Sequence, residues 1–320
     1  MSGKILISGV TCIDIVNYAA SFPEEDSDNR GLITLGGNAQ NSATVLAQLN
    51  DHTEVFMALP SGNLLFDKHV HTPSLYSLVS CSLIVRSGVN VERCVYRESD
   101  DVPVSTVIVS MAKGSRTILH YEGNIEEPKA AEFAAQFPSF EGYSWVHFEA
   151  KAGRQFDELA LMLEHVWNQR KAHQLPLKIS VELEIRIPSE WVLRLLTYAD
   201  VVFVSKDFAK AHGWKNAEKT VDQVQRVYRA ENKLVICPWA EKGVTAREST
   251  KAKSVHVPAH VPPKVIDTLA AGDTFIATCL HFLNEGRDLP TVLRKAALLA
   301  GTKVGQKSVY DLPVELVLKD

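Results

Sequence analysis

Short apolar runs alternate with longer helical patterns through most of the chain. From Trp145 onward, the runs WVHFEA, KISVEL, VVFVS and KLVICPW predict buried strands, and the segments between them predict helices over 154–171, 189–198 and 217–229. Strands that alternate with helices in this way are typical of a mostly parallel sheet with helices on both faces. We therefore predict an α/β fold in a single domain, residues 1–320, whose ligands bind at the carboxyl ends of the strands.

The N-terminal half adds strands of two kinds. Residues 4–10 and 54–59 form apolar runs that predict two more buried strands. Residues 104–111 and 116–121 are rich in β-branched residues and flank the sequence KGS, which is typical of a hairpin turn. We expect this hairpin to form part of a small separate sheet.

The most informative stretch is VIDTLAAGDTFIATCL, residues 265–280, in which an acid-bearing turn leads into an apolar helical pattern. Gly272 allows unusual backbone angles and the close approach of a ligand, and Asp273 and Thr274 follow where a new helix exposes unpaired N–H groups. A helix N-terminus favours a phosphate, and a carboxylate beside it can accept the proton of an attacking hydroxyl. The stretch therefore suggests phosphoryl transfer, but its shape fits equally well with Asp273 or Thr274 as a simple cap of a core helix.

A second polar motif precedes another helical pattern. Gly36 and Gly37 lead into NAQNSATVLAQL, whose apolar positions can face a core, while Asn38 and Asn41 fall near its N-terminus. Two amides in this place can hydrogen-bond several hydroxyl groups. In isolation, the more frequent arrangement is Asn38 as an N-cap and Asn41 as a solvated surface amide.

Composition narrows the class of protein without adding a site. A chain of 320 residues with 46% apolar residues can bury a large core. A formal net charge of −4 and the lack of Lys/Arg blocks disfavour nucleic acid and anionic membranes as partners. Five cysteines without metal-binding spacing indicate reduced thiols, and the sequence has neither a secretory leader pattern nor an apolar run near ~20 residues. We therefore expect a cytoplasmic protein.

Several stretches resemble one protein family. DTLAAGDTF resembles the D-T-x-[GA]-A-G-D signature of the ribokinase-like (PfkB) carbohydrate kinases, and GGNAQNS resembles their sugar-binding GGNxxN motif. Further stretches narrow the resemblance to the ketohexokinases, also called fructokinases; they are PEEDSDNR, GSRTILHY, VFVSKD and WAEKG. The resemblance covers nearly the whole chain and implies a ribokinase-like fold: a mostly parallel central sheet with helices on both faces and a small β-sheet lid.

The resemblance assigns roles at the sugar and at the transferred phosphoryl group. Asp273 matches the family's catalytic base. The turn before it matches the backbone N–H groups that bind the phosphoryl, which here belong to Ala270, Ala271 and Gly272. The residues that match the sugar-binding positions are Asp14, Gly37, Asn38, Asn41 and Asp273 itself.

The resemblance also implies a lid and a nucleotide loop. Residues 12–36 and 96–122 match the β-sheet lid that these kinases lay over the sugar, and Arg116 matches an arginine that contacts the nucleotide phosphates. Because the ketohexokinase lid interlocks with that of a second subunit, we expect a homodimer in which Asp26 reaches the partner's sugar site. The residues that match the nucleotide loop are Ala240, Glu241, Lys242 and Gly243.

The cofactors that the resemblance implies are ATP and Mg²⁺, with K⁺ as a further candidate. Most ribokinases have an NxxE motif that helps to organise Mg²⁺ and the phosphates. Residues 205–208 of this chain are SKDF, which departs from that motif and resembles the ketohexokinase sequence. We therefore assign no metal ligands.

Residues 60–86 depart from the family pattern. Where these kinases have a glycine-containing loop and a regular helix, this chain has His69, His71 and Pro73, which interrupt any helical pattern. Neither a cysteine nor a carboxylate pattern accompanies the histidines, so we expect a surface loop rather than a metal site.

A competing phosphate motif can be excluded. Residues 301–308, GTKVGQKS, superficially resemble a Walker A loop. They have three residues between the glycines where four are needed and an extra Gln before Lys307, and they follow a helical pattern. We do not expect this segment to bind phosphate.

These observations together predict ATP-dependent phosphorylation of fructose at its C1 hydroxyl, giving fructose 1-phosphate and ADP. Two alternatives stay open. One is a kinase of the same fold that acts on ribose or a nucleoside, and the other is a catalytically weak relative that binds a sugar or a partner protein.

Overall fold

The computed structural model describes residues 3–23, 30–60, 87–98, 103–112, 115–151, 154–184 and 187–319. The strands in chain order are β1 (Lys4–Ser8), β2 (Cys12–Ala19), β3 (Arg30–Gly36), β4 (Thr53–Phe56), β5 (Ala58–Pro60), β6 (Val95–Arg97), β7 (Val104–Ser110), β8 (Ser115–Tyr121), β9 (Tyr143–Ala150), β10 (Lys178–Leu183), β11 (Val201–Val204), β12 (Leu234–Pro238), β13 (Val244–Arg247) and β14 (Val255–Val257). The helices are α1 (Asn38–Gln48), α2 (Ala130–Gln136), α3 (Phe156–Ala172), α4 (Ser189–Tyr198), α5 (Lys206–Ala211), α6 (Ala217–Val227), α7 (Ala271–Asn284), α8 (Leu289–Val304) and α9 (Glu315–Leu318).

An eight-stranded sheet forms the centre of the fold, in the order β14-β13-β12-β11-β10-β9-β1-β4. The pairs from β4 to β12 are parallel, and β13 and β14 extend the sheet as antiparallel strands at one edge. The apolar runs form these strands because side chains on both faces are covered: Ile5 and Ile7 enter one core, and Leu6 between them enters the other. The carboxyl ends of the parallel strands therefore meet at one edge of the sheet.

Helices cover both faces of this sheet. Helices α1, α7 and α8 share one core with the sheet, represented by Ala43, Phe275 and Val292. Helices α2 to α6 pack on the opposite face in a second core. Helices α1 and α7 thus lie side by side, which brings their N-termini to the same edge of the sheet.

A second sheet has the strand order β3-β2-β7-β8. Its inner face packs Val16 and Val107 against Leu269, the residue two positions before α7. On its outer face, Ile33 and Leu119 align in one row of the sheet and are 48% and 62% exposed. We refer to β2, β3, β7 and β8 as the lid sheet.

The fold class predicted from the sequence is confirmed, with small differences in individual elements. The strand expected over 54–59 is divided into β4 and β5, and residues 301–304 of the Walker-like segment belong to helix α8 instead of following a helix. Four of the five cysteines, at positions 12, 94, 237 and 279, are buried free thiols. Within the described residues, no helix is long and apolar enough to cross a membrane.

Candidate active site

The first turn of α7 presents a carboxylate beside free backbone N–H groups. Ala270 caps the helix with a left-handed φ of 57°, and its carbonyl oxygen accepts both the N–H and the hydroxyl of Thr274, at 3.0 and 2.9 Å. The first N–H groups of a helix have no acceptor within the helix, so those of Gly272 and Asp273 point out of its N-terminus. Asp273 is 6% exposed and lies within this turn. Neither Asp273 nor Thr274 is the cap, so their interpretation as caps is wrong.

The structure corrects the role expected of Gly272. The left-handed backbone angle belongs to Ala270, and Gly272 does not have a positive φ. A Cβ added at Gly272 would find no atom within 4 Å, because the space in front of the helix start is open. The space at Gly272 is therefore open, and Gly272 does not supply the unusual backbone geometry.

Asn41 and Asp273 are joined by a direct hydrogen bond. The Asn41 amide nitrogen donates to a carboxylate oxygen of Asp273 at 2.7 Å, and both side chains are buried. The pKa of Asp273 is raised to about 7, chiefly by burial; the Asn41 bond acts in the opposite direction, and the carboxylates of Glu184, Glu149 and Asp14 contribute to the rise. Asn41 is thus a buried partner of the predicted base, and its interpretation as a surface amide is wrong.

Gly37 sets the start of α1. It is the N-cap, with a φ of 89°, and a Cβ at this position would lie 2.4 Å from the carbonyl oxygen of Val10. Only glycine fits against the loop that follows β1. The cap is Gly37, so the interpretation of Asn38 as the N-cap is also wrong.

Asn38 contacts carboxylates at the end of β10. Its amide nitrogen donates to Glu184 at 2.8 Å and approaches Glu182 at 3.5 Å. Burial raises the pKa of Glu182 well above its usual range, and Glu184, Asp273 and Glu149 add to the effect. The Asn38 amide therefore faces two carboxyl groups, those of Glu182 and Glu184, at the carboxyl edge of the sheet.

Asp14 lies on β2 of the lid sheet and is 4% exposed. One of its oxygens accepts the Cys12 thiol at 3.2 Å, and burial raises its pKa. A Cβ on Gly36 would lie 2.1 Å from the other oxygen, so the neighbouring strand needs glycine here. Asp14, Asn41 and Ala270 line one cavity between the lid sheet and α7, so the structure brings these three predicted residues together.

Arg116 links the lid sheet to the turn before α7. It lies on β8, is exposed, and its guanidinium donates a hydrogen bond to the hydroxyl of Thr268. The guanidinium therefore stands next to the helix start that carries Asp273. A cation in this place is available to a phosphate chain.

The predicted nucleotide loop follows β12 at the same edge of the sheet. Ala240–Lys242 form one 3₁₀ turn, and the carbonyl oxygen of Gly243 accepts the N–H of Trp239 at 2.6 Å. A Cβ at Gly243 would lie 2.1 Å from the carbonyl oxygen of Val257, and its φ is 84°, so the turn requires glycine. Glu241 forms an ion pair with Lys206 at 3.3 Å, which ties the loop to the start of α5.

Comparison with known proteins identifies the family. A family model described as pfkB family carbohydrate kinase matches residues 81–315. The chain belongs to this family. It is similar to the ketohexokinase of Mus musculus, with 34% identity over 310 residues that cover 94% of this chain and 96% of the mouse protein. The chain is therefore an ATP-dependent sugar kinase.

Two solved structures show the same fold. The ribokinase from Cryptococcus neoformans var. grubii serotype A in complex with ADP has a TM-score of 0.76 and 18% identity, covering 99% of both chains. The Arabidopsis thaliana ribokinase complexed with ribose and ATP has a TM-score of 0.73 and 18% identity, covering 100% of both chains. Both are similar to this pfkB kinase over its whole length.

Three carboxylates of this pfkB kinase were missed by sequence reasoning. Glu149 is the penultimate residue of β9, Glu182 lies beside it in the register of β10, and Glu184 is the first residue after that strand. Glu149 is fully buried, accepts the N–H of Val10 at 3.1 Å and pairs with Lys151 at 3.6 Å. Their positions at the carboxyl ends of two parallel strands were the signal that could have identified them.

Two predictions fall outside the described residues. Asp26 lies within residues 24–29, and the atypical segment lies almost wholly within residues 61–86. Both therefore stay predictions for this pfkB kinase.

Proposed function

We propose that this chain phosphorylates fructose at the C1 hydroxyl, with Asp273 as the general base. The observation that carries the proposal is the bond of 2.7 Å from Asn41, which holds the buried carboxylate in the first turn of α7. From this position Asp273 can accept the proton of a hydroxyl while the N–H groups of the same turn stabilise the charge on the phosphoryl group. The 34% identity to mouse ketohexokinase favours a ketohexose as substrate.

The electrostatic surroundings of Asp273 support its role as a base. A general base works best when its pKa lies near the working pH. Burial raises the pKa of Asp273 to about 7, with smaller contributions from nearby carboxylates. Asp273 can therefore exchange a proton at neutral pH, which an exposed aspartate with its low pKa does poorly.

Sugar recognition rests on buried polar side chains. Asp14 and Asn41 line the cavity beneath the lid sheet, and Asn38 stands at the start of α1 with Gly37. A sugar that leaves such groups unpaired loses binding and rate, so the pocket should separate fructose from ribose and adenosine by orders of magnitude in kcat/KM.

ATP is the phosphoryl donor, and we assign its contacts to two places. The turn Ala240–Lys242 with Gly243 would hold the nucleotide, and Arg116 would neutralise the phosphates beside Thr268. The loop lies at the carboxyl edge of the central sheet, where α/β folds bind ligands, and Arg116 reaches this region from the lid sheet. The solved ribokinases with ADP and with ribose and ATP favour this use of the site.

Mg²⁺ fits the acidic edge of the sheet. The described residues contain no group of three or more His, Cys, Asp or Glu side chains arranged to hold a metal ion. Mg²⁺ is usually bound through one or two carboxylates together with substrate phosphates, so a complete protein cage is not required. Glu149, Glu182 and Glu184 lie at this edge of the sheet, near the proposed phosphate-binding turn, and we assign no individual ligand to the ion. K⁺ stays a candidate cofactor to which we assign no ligand.

The decisive experiment is a coupled ADP-release assay across a panel of sugars, with the position of the phosphate in the product determined by NMR. We expect fructose to be the best substrate and fructose 1-phosphate to be the product. Ribose as the best substrate, or phosphate at C6, would reassign the enzyme within its family. Sugar binding in isothermal titration without any turnover would instead identify a catalytically weak relative.

We further propose a homodimer formed through the lid sheet. Its outer face exposes Ile33 and Leu119 in one row, and a second copy of the chain would cover them. Asp26 would then belong to the partner's sugar site.

A further inference from the structure

A buried lysine lies directly beneath the turn that precedes α7. Lys303, in the last turn of α8, is 1% exposed. Its ammonium group donates to the backbone carbonyl oxygen of Asp267 at 3.0 Å and lies 3.3 Å from a carboxylate oxygen of the same residue. One cation therefore binds both the main chain and the side chain of Asp267.

Asp267 is the centre of several contacts that fix this turn. One carboxylate oxygen accepts the N–H of Leu269 at 2.8 Å, and the other accepts the hydroxyl of Tyr18 on the lid sheet at 3.1 Å. The N–H groups of Ile266 and Asp267 both donate to the carbonyl oxygen of Val304, at 2.8 and 3.1 Å. The end of α8 and the lid sheet thus hold the same residue from two sides.

The turn needs such support because of its backbone. Ala270 adopts a left-handed φ of 57°, which residues with a Cβ reach only when their surroundings impose it. This residue orients the N–H groups of Gly272 and Asp273, which form the anion-binding end of α7. Asp267 stands three residues before it, so a shift of Asp267 would move those groups.

The charge of Lys303 also lies close to the reacting groups. Lys303 lines the same cavity as Asp14, Asn41 and Ala270. Burial lowers its pKa, Asp267 raises it, and the more distant charges of Arg116 and Asp273 also influence it. No step of the proposed reaction uses this group, yet a buried charge is costly and is retained only with a partner.

We propose that Lys303 is a positioning residue for phosphoryl transfer: through Asp267 it holds residues 267–270 so that the N–H groups at the start of α7 face the phosphoryl group of ATP. The inference rests on the proposed use of that turn in phosphoryl binding. In this role Lys303 acts through Asp267 and not through contact with the reacting groups. It acts as a built-in cation that ties the main chain of the turn to α8.

The test uses the full-length chain and a matched lysine on the same helix. Lys303→Met removes the charge and keeps much of the side-chain length. Lys295→Met is the control, because the ammonium of Lys295 also donates to backbone carbonyls, those of Val317 and of Lys319 at 2.8 Å, away from the turn. The double variant Lys303→Met with Asp267→Asn removes both charges together and avoids an unpaired buried carboxylate.

The first measurement is amide hydrogen exchange without substrate. We expect exchange at residues 268–273 to rise at least tenfold in Lys303→Met and in the double variant, and to stay unchanged there in Lys295→Met. The second measurement is kinetic: kcat should fall about 100-fold, while the sugar Kd from titration without nucleotide changes less than threefold.

Unchanged exchange at 268–273 together with a kcat within threefold of the wild type would overturn the inference. So would a rise in exchange spread evenly over the chain, since that indicates general destabilisation. If Lys303→Met does not fold, hydrogen exchange at 268–273 and kcat of the double variant test the inference instead. The exchange measurement needs no turnover. A wild type inactive on every sugar would therefore reject the proposed function, while the exchange data would still show whether Lys303 holds residues 267–270 in place.

Discussion

The side-chain amide of Asn41 donates a hydrogen bond of 2.7 Å to the carboxylate of Asp273, a residue 232 positions further along the chain. The hydroxyl of Ser42 supports the contact by donating to the backbone carbonyl of Asp273 at 3.3 Å. The N-terminal turns of α1 and α7 are thereby fixed to each other at the carboxyl edge of the sheet. Because the amide donates to the charged form of Asp273, it also opposes the rise in pKa that burial causes.

Asp273→Asn should retain the fold and the sugar affinity and reduce kcat at least ~100-fold, because the amide cannot accept a proton. The ADP-release assay gives kcat, and isothermal titration gives the sugar affinity. Near-normal turnover in this variant would contradict the assignment of Asp273 as the base.

The kcat/KM of the wild type should fall as the pH is lowered through about 7. The pKa of Asp273 is raised to about 7, chiefly by burial, so the carboxylate is ionised above this pH and protonated below it. Only the ionised form can accept a proton, so kcat/KM should be constant above the pKa and should drop about tenfold per pH unit below it. A pH profile from 5 to 9 at fixed ionic strength measures this, and a flat profile would exclude a base with this pKa.

The same shift predicts that Asp273→Asn stabilises the fold at high pH. The pKa of Asp273 is about 7 in the folded protein and 3.8 in the reference state, so the folded protein holds the proton more tightly. The free energy of unfolding of the wild type should therefore fall as the pH rises from about 4 to 7. The variant should have a free energy of unfolding larger by about 2–4 kcal/mol at pH 8.

Urea titrations at pH 8 and pH 5 test this gain in stability, which should shrink as the pH falls. Glu231→Gln removes an exposed carboxylate and is the control, which should show little change at either pH. An equal effect of Asp273→Asn at both pH values would contradict linkage to the proton on Asp273.

Asn41→Ala should raise the sugar KM more than it lowers kcat and should also move the acid limb of the pH profile upward. The first effect follows if the amide binds ground state and transition state alike. The second follows because loss of the bond removes the interaction that opposes the pKa rise of Asp273. Asn38→Ala is the matched control: its amide bonds Glu184 instead, and loss of that bond favours protonated Glu184, so this variant should raise KM without moving the acid limb upward. Identical pH profiles for Asn41→Ala and the wild type would contradict this coupling.

The elements around the site could be predicted because their patterns are local. A glycine followed by a polar helix start predicts α1, and the acid-bearing turn before an apolar helical pattern predicts α7. The bond between Asn41 and Asp273 could not be predicted from the residues alone, since it joins helix starts from opposite ends of the chain. Only the parallel order of the sheet, with both helices on one face, brings them together.

Buried charges were the part of the site that sequence reasoning missed. Lys303 lies in the segment that superficially resembles a Walker A loop, and a lysine within a helical pattern usually belongs to a solvated face. Glu149 and Glu182 become neighbours through the register of β9 and β10. A strand pattern predicts the two strands and the acidic residues near their carboxyl ends, but not which residues lie side by side, so the pairing of Glu149 with Glu182 emerged only from the structure.

Leu119→Glu should convert a dimer into a monomer while leaving the fold intact. Leu119 is 62% exposed on the outer face of the lid sheet, in the row that includes Ile33, and a charge there would have to be buried against the second copy. Val227→Glu introduces the same charge at a 51% exposed apolar residue of α6 and is the control. Light scattering at micromolar concentration should give twice the chain mass of 35.4 kDa for the wild type and the control, and 35.4 kDa for Leu119→Glu.

Because Asp26 is proposed to complete the partner's sugar site, the monomeric variant should also have a raised sugar KM. A wild type that is monomeric at this concentration would refute the lid-mediated dimer and remove Asp26 from the site.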